Sequence, residues 1–293
     1  MRFGIHCSIR NGYLSALEEA KNACCDTLQM FTHSPRVWKF NLPKKDVIEE
    51  FVYLRKQMEL YPLIIHTAYL PNPASSDKKI YSYSKSLLEQ EFMLAKMFEA
   101  DYLVMHAGSF SEGKSFDTGI KNLVSAIDYC FSKIISKNGS KNEKVPMLLL
   151  ENVCGVGRKI GRNFDELKVI IDRSKFGKYI GICIDTAHLH SYGYELDKES
   201  GFEEMVTDLK NSCGIEKLKM FHLNDSKVVS GSQIDRHEHI GKGTIGIPGF
   251  KRILNYPAFK DLVGIIETPK EVKFGEYSKK DRENILLLKK LAK

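Results

Sequence analysis

The sequence predicts an α/β fold, a (β/α)8 barrel built by one domain over residues 1–293, and two observations carry that expectation. Short apolar, β-branched segments alternate with longer segments of helical period through eight rounds, with no Pro/Gly/Ser-rich linker between them. Strands separated by helical crossovers pair in parallel with right-handed connections, and eight such units close into a barrel. A doubly wound open sheet is the alternative. Its nucleotide-binding versions lack support, because no G-x-G-x-x-G or G-x-x-x-x-G-K-[ST] follows any of the apolar segments.

Taken in order, Arg2–Cys7 reads as a strand and Tyr13–Ala23 as the first helix, with apolar residues spaced three and four apart. Strand Thr27–Phe31 is followed by helix Asp46–Leu60, strand Pro62–His66 by helix Ser82–Glu99, and strand Tyr102–His106 by helix Phe116–Ser136. Strand Met147–Glu151 leads to helix Phe164–Ser174, and strand Tyr179–Asp185 to helix Phe202–Asn211. Strand Leu218–His222 is followed by a long loop and a short helix near Phe250–Leu254. Strand Leu262–Glu267 and the closing helix Asn284–Leu291 complete the pattern.

The composition, 43% hydrophobic and 28% charged, is that of a globular chain and excludes disorder and low complexity. No apolar run approaches the ~18 residues of a membrane span, and Met1-Arg2-Phe3-Gly4-Ile5-His6 lacks the basic-then-apolar layout of a secretion signal. The expectation is an intracellular protein. Seven Cys without a C-x-x-C pair suggest buried or incidental thiols instead of a disulfide framework. Lys and Arg outnumber Asp and Glu by 44 to 37, which favours an anionic partner without requiring one.

The strongest chemical signal is positional. Six successive predicted strands end in a side chain able to hold a metal: His66, His106, Glu151, Asp185, His222 and Glu267. Taken singly, each His is better read as a core residue and each acid as a cap or surface charge. Parallel strands, however, bring all six ends to one face, the face on which barrel enzymes keep their active sites. Three loop residues join them: His188, three after Asp185, and the pair Asp235 and His237, which extended backbone turns to the same side while Arg236 points away. At about four ligands per zinc, five imidazoles and four carboxylates exceed one ion and suit three if carboxylates bridge. Zn²⁺ fits such donors, and Mn²⁺ or Fe²⁺ accept the same atoms. Three divalent ions, four carboxylates and one hydroxide leave roughly one positive charge, matched to a phosphodiester.

The segments His66-Thr67-Ala68-Tyr69-Leu70, His106-Ala107-Gly108-Ser109, Glu151-Asn152-Val153-Cys154-Gly155, Cys183-Ile184-Asp185-Thr186-Ala187-His188, His222-Leu223-Asn224-Asp225-Ser226 and Asp235-Arg236-His237 occur in this order, between Phe3-Gly4-Ile5-His6 and Ile266-Glu267-Thr268-Pro269. Along nearly its whole length the chain resembles the endonuclease IV family. The resemblance implies a TIM barrel with three zinc ions at the C-terminal face of its strands. It also implies an apurinic/apyrimidinic endonuclease of base excision repair that cuts DNA 5′ to an abasic site, leaving a 3′-hydroxyl and a 5′-deoxyribose phosphate.

Carried over by motif, His66 and His106 would hold the first zinc, with Glu151 bridging to a second that Asp185, His222 and Glu267 complete. The third falls to His188, Asp235 and His237, placed to stabilise the departing 3′ oxyanion. A hydroxide between the first two would attack phosphorus, with Glu267 orienting it. Arg36, Tyr69 and Leu70 match family positions that enter the minor groove and widen the stack at the lesion. The implied partner is double-stranded DNA containing abasic sites, met by a monomer away from membranes, in the cytoplasm or nucleus.

The chain departs from the usual family pattern at Val37, Thr67-Ala68, Ala107 and Val156, and none of these removes an implied ligand. The Val37 departure shifts lesion discrimination toward Arg36 and Tyr69. His6 is read as a support to the ligands, His33 as a loop contact, and His190 and His239 as solvent-facing or supporting groups. Trp38 is read as packing its loop, and Lys78, Lys79, Arg158, Lys159, Arg162 and Lys242 as candidate phosphate contacts. A sugar isomerase or epimerase would use Glu151, Asp185, His222 and Glu267 alone. A non-catalytic DNA-binding module would have no use for nine chelating groups.

Overall fold

A computed structural model describes residues 1–135, 144–270 and 278–293. Its strands are β1 (Arg2–Cys7), β2 (Thr27–Met30), β3 (Leu63–His66), β4 (Tyr102–His106), β5 (Met147–Glu151), β6 (Ile180–Asp185), β7 (Leu218–His222), the two-residue β8 (Asp225–Ser226) and β9 (His237–Glu238), and β10 (Val263–Ile266). All but β8 and β9 form a closed parallel barrel in the order β1-β10-β7-β6-β5-β4-β3-β2. The helices are α1 (Tyr13–Asn22), α2 (Lys45–Gln57), α3 (Lys78–Met97), α4 (Phe116–Ile134), α5 (Phe164–Arg173), α6 (Thr186–Tyr192), α7 (Glu199–Asn211), α8 (Gly246–Asn255) and α9 (Lys279–Leu291). The expected (β/α)8 barrel is therefore observed.

Alternation along each strand divides the core into two layers. Ile64, Val104, Leu149, Cys183, Met220, Val263 and Ile265 fill the barrel interior. Their neighbours in sequence, such as Leu103, Leu148, Leu150, Ile182 and Ile184, face outward into a larger cluster under the helices, with Phe51, Phe92, Phe98 and Phe131. Because the side-chain period is two, the next inward position beyond the last interior residue of each of these six strands lies on the C-terminal rim. That position holds His66, His106, Glu151, Asp185, His222 or Glu267.

Boundaries differ from the sequence expectation where a cap sets them. Asp77 accepts the amides of Lys79 and Ile80, so α3 begins at Lys78, four residues before the apolar pattern shows. Ser278 accepts the Asp281 amide and starts α9 at Lys279. Likewise α7 begins at Glu199 and α8 spans Gly246–Asn255, both longer than their apolar stripes. The predicted helix end at Ser136 lies outside the described residues. α6 and the β8–β9 pair were not expected: seven and two residues are too few to display a period.

The seven cysteines are free, and Cys7, Cys25, Cys130, Cys154 and Cys183 are buried. Among the described residues no helix is long and apolar enough to cross a membrane.

Candidate metal centre

Strand register sets the first contacts of the rim. His106 lies opposite Glu151 across β4–β5, and Asp185 opposite His222 across β6–β7. Glu267 stands one residue beyond β10 and completes the arc. Two short elements then fold inward. Asp185 caps α6 by accepting the His188 amide at 2.9 Å, which turns His188 back over the rim. The β8–β9 pair sets His237 opposite Ser226. Buried Asp225 fixes the turn that follows by accepting the amides of Gly241, Gly243 and Ile245 at 2.9–3.1 Å.

Three groups of donor atoms result, His66–His106–Glu151, Glu151–Asp185–His222–Glu267 and Asp185–His188–His237, each with its ligand atoms within 4.8 Å of one another. Glu151 Oε2 lies 3.1 Å from His66 Nε2 and 3.6 Å from His106 Nε2, while its Oε1 lies 2.9 Å from His222 Nδ1. Glu267 Oε2 is 3.6 Å from the same His222 nitrogen. Asp235 reaches His188 Nε2 at 3.2 Å and His237 Nε2 at 3.3 Å. Asp185 Oδ2 approaches His237 Nε2 at 3.5 Å. Glu151 thus stands between the first two groups, and Asp185 between the second and third. All nine residues singled out in the sequence are brought together.

The imidazole tautomers test whether the set suits a metal. A carbonyl oxygen only accepts, so His66, His188 and His237 donate from Nδ1 to the carbonyls of Thr67 (2.7 Å), Asn152 (3.0 Å) and Glu267 (3.2 Å). Their Nε2 atoms are left facing the carboxylates: His66 Nε2 meets Glu151 at 3.1 Å, His188 Nε2 meets Asp235 at 3.2 Å, and His237 Nε2 is buried without a hydrogen-bond partner. His222 is held the opposite way: Nε2 meets Gln29 Oε1 at 2.8 Å and Nδ1 faces Glu151 and Glu267. Imidazoles whose outer nitrogen is fixed by an acceptor, so that the other nitrogen is aimed inward, are the usual arrangement around a ligated divalent ion. Nitrogen and carboxylate donors without thiolate suit Zn²⁺, Mn²⁺ or Fe²⁺.

The electrostatics follow from this crowding. Burial pushes His106 down to about 4. Burial also opposes charge on His188, yet Asp185, Asp235 and Glu151 outweigh it and lift the imidazole to about 10. Burial would raise the Asp235 carboxyl, but His188 and His237 hold it down to about 2. Burial acts in the same sense on Glu151, and His106 and His222 draw it well below the carboxylate range. Buried carboxylates require nearby positive charge to remain ionised, and this cluster is arranged to receive it.

Several supporting residues escaped the sequence reading. Gln29, the inward residue of β2, touches His6, His222 and Glu267. Asn224 donates to Asp185 Oδ2 at 2.7 Å and accepts the Glu267 amide at 2.7 Å, and Asn152 accepts the Asp185 amide at 2.7 Å. Counting inward positions along β2 finds Gln29, but an amide is not a metal donor and drew no notice. His6 supports the rim as expected, 3.3 Å from Glu267 Oε1.

His33 is a buried loop contact stacked on Phe40 and bound to Glu91. His190 is buried against Tyr194 and Thr244, and His239 accepts from Asn284. Neither joins the donor groups.

At the mouth, Tyr69 is 64% exposed, its ring 5.4 Å from Phe31. A cavity of about 360 Å³ beside the donors is lined by Tyr69, Leu70, His106, Lys159, His188 and Asp235. Arg36 is exposed on the loop after β2, and no described contact brings it to the donors. Trp38 lies 6.0 Å from Tyr83 of α3. Among the expected phosphate contacts, Arg162 is engaged by Glu166 at 2.5 Å and Arg158 by Glu112 at 3.7 Å.

Comparison with known proteins agrees with this architecture. A model of the xylose isomerase-like TIM barrel family matches residues 17–291. The chain is 40% identical to a probable endonuclease 4 of Halothermothrix orenii over 92% of this chain and 94% of that one. It is 34% identical to a probable endonuclease 4 of a Sulfurihydrogenibium species over the full length of both. Among solved structures, endonuclease IV from Thermus thermophilus superposes with a TM-score of 0.84 at 27% identity, covering 99% of this chain and 98% of that one. By matched model, sequence and structure together, the chain belongs to the xylose isomerase-like TIM barrels and, among them, to the endonuclease 4 family.

Proposed function

We propose that this protein is an apurinic/apyrimidinic endonuclease that hydrolyses the phosphodiester bond 5′ to an abasic site, leaving a 3′-hydroxyl and a 5′-deoxyribose phosphate. The observation that carries the reading is the convergence of nine chelating side chains on one rim of the barrel, eight in three overlapping groups and Asp235 against His188 and His237. His66, His106 and Glu151 would hold one ion, Glu151, Asp185, His222 and Glu267 a second, and His188, Asp235 and His237 a third. The donor set favours zinc, and one site would also accept Mn²⁺ or Fe²⁺. When bound, such ions supply Lewis acidity toward phosphate oxygens and toward the attacking water.

The chain's own residues supply orientation and access. Glu267, its side chain 21% exposed and held through Oε1 by Gln29, would orient the attacking water. Tyr69 and Leu70 stand beside the donors, where a ring and an aliphatic wedge can occupy the gap left by a missing base. Arg36, on the neighbouring loop, would enter the minor groove. The formal charge of +7 suits a polyanion. The protein would act as a monomer built of one domain over residues 1–293, inside the cell, on duplex DNA and not on membranes.

A sugar epimerase would need only Glu151, Asp185, His222 and Glu267. The five further donors, His66, His106, His188, Asp235 and His237, have no task on a neutral sugar.

The test is Glu267→Gln, which removes a carboxylate charge from the rim and leaves the outer loops intact. Incision of an abasic duplex should fall at least roughly 10²-fold while DNA affinity is retained. Near-normal turnover in the variant would refute the assignment of Glu267.

A further inference from the structure

We infer that Gln29 is a positioning residue of the metal centre, setting which nitrogen His222 presents and where Glu267 points. The inference rests on the metal-centre reading above. Gln29 is fully buried on β2, and each end of its amide has a partner in the rim. Nε2 lies 2.7 Å from Glu267 Oε1 and 2.8 Å from His6 Nδ1, and Oε1 lies 2.8 Å from His222 Nε2.

The assignment of amide nitrogen and oxygen is forced. A carboxylate accepts only, so the end facing Glu267 must be the NH2 group, whose second hydrogen goes to His6 Nδ1. The oxygen end must then accept from His222 Nε2–H. His222 is thereby held with Nδ1 turned inward, hydrogen-bonded to Glu151 Oε1 at 2.9 Å and 3.6 Å from Glu267, as the nitrogen left to ligate once an ion takes the place of its proton. One amide thus determines the donor atom of His222, fixes one oxygen of Glu267 and leaves Oε2 directed at the centre. It also makes His6 a neutral ring that receives at Nδ1. Hydrophobic burial alone would favour Leu or Met at this inward position, as at Ile64, Val104 and Met220 in other strands.

Two variants of similar volume separate the two ends of the amide. Gln29→Leu removes both. Gln29→Glu keeps an acceptor for His222 and replaces the donor facing Glu267 and His6 with a like-charged oxygen. The readouts are zinc affinity by competition with a chromophoric chelator, kcat and KM on an abasic duplex, and thermal unfolding.

Gln29→Leu should lose roughly 10–100-fold in zinc affinity and a similar factor in kcat, with KM unchanged. Gln29→Glu should lose more in kcat than in zinc affinity. Zinc affinity and kcat within twofold of wild type in both variants, whatever their melting temperatures, would overturn the inference. Should Gln29→Leu fail to fold, Gln29→Glu decides alone by the same criterion. Wild-type protein that takes up no zinc would overturn the metal reading together with this inference. Zinc uptake by wild type without incision of abasic DNA would overturn only the proposed reaction.

Discussion

At the scale of single residues, what distinguishes this rim is that four of its histidines are each fixed through their outer ring nitrogen. Three donate from Nδ1 to backbone carbonyls and one donates from Nε2 to an amide, so the other nitrogen of each cannot turn away from the carboxylates. Tyr69 is the opposite case: mostly exposed, with Phe31 and His66 touching its inner edge and no hydrogen bond to fix its hydroxyl in the described contacts. A stacking partner on DNA would use that free face. Replacing Tyr69 by Ala should therefore weaken binding to an abasic duplex by about 1–3 kcal/mol and binding to intact duplex much less. Fluorescence titration of the two duplexes checks it, and equal losses on both would return Tyr69 to packing the barrel mouth.

At the scale of elements, the sequence displays what has a period and hides what does not. The eight barrel strands were legible to within a residue at either end, because short apolar runs mark them and in six of them a polar residue marks where the barrel interior gives way to the rim. Helix interiors were equally clear. Helix starts were legible at Tyr13, Phe116 and Phe164 but not at α3 and α9, which begin after polar caps, Asp77 and Ser278, ahead of the first apolar residue. α6 was hidden by its length, seven residues, and its cap Asp185 has a second role as a donor at the rim, so one carboxylate both starts the helix and faces the site. The α5 cap is free of that double duty. Asn163 accepts the Glu166 amide at 3.0 Å and is no member of the donor groups. Asn163→Ala should cost about 1 kcal/mol and lower Tm by about 2 °C with incision unchanged. Calorimetry alongside an activity assay checks both halves, and a loss of activity without a loss of stability would contradict the separation of scaffold from site.

At the scale of the whole molecule, the barrel converts sequence distance into proximity. His66 and Glu267 lie in the third and the last barrel strand segments, yet both stand within contact of His222 or Glu151 because parallel strands share one C-terminal face. This is why the donor set could be read from the sequence before any fold was known, whereas Gln29, Asn152 and Asn224 could not. Their importance lies in whom they touch, and amides carry no signature of their own. The same geometry makes the centre cooperative, since Glu151 and Asp185 each belong to two donor groups and disturbing one group disturbs its neighbour. The central claim is that these groups hold ions which incision requires. It is tested most directly by stripping the protein of metal and titrating zinc back while following cleavage of a duplex carrying one tetrahydrofuran abasic analogue. The account predicts no cleavage in the stripped protein and activity that rises to saturation at about three zinc ions per chain, with the cut on the 5′ side of the analogue. Full cleavage by verified metal-free protein, or saturation at a single equivalent, would contradict it.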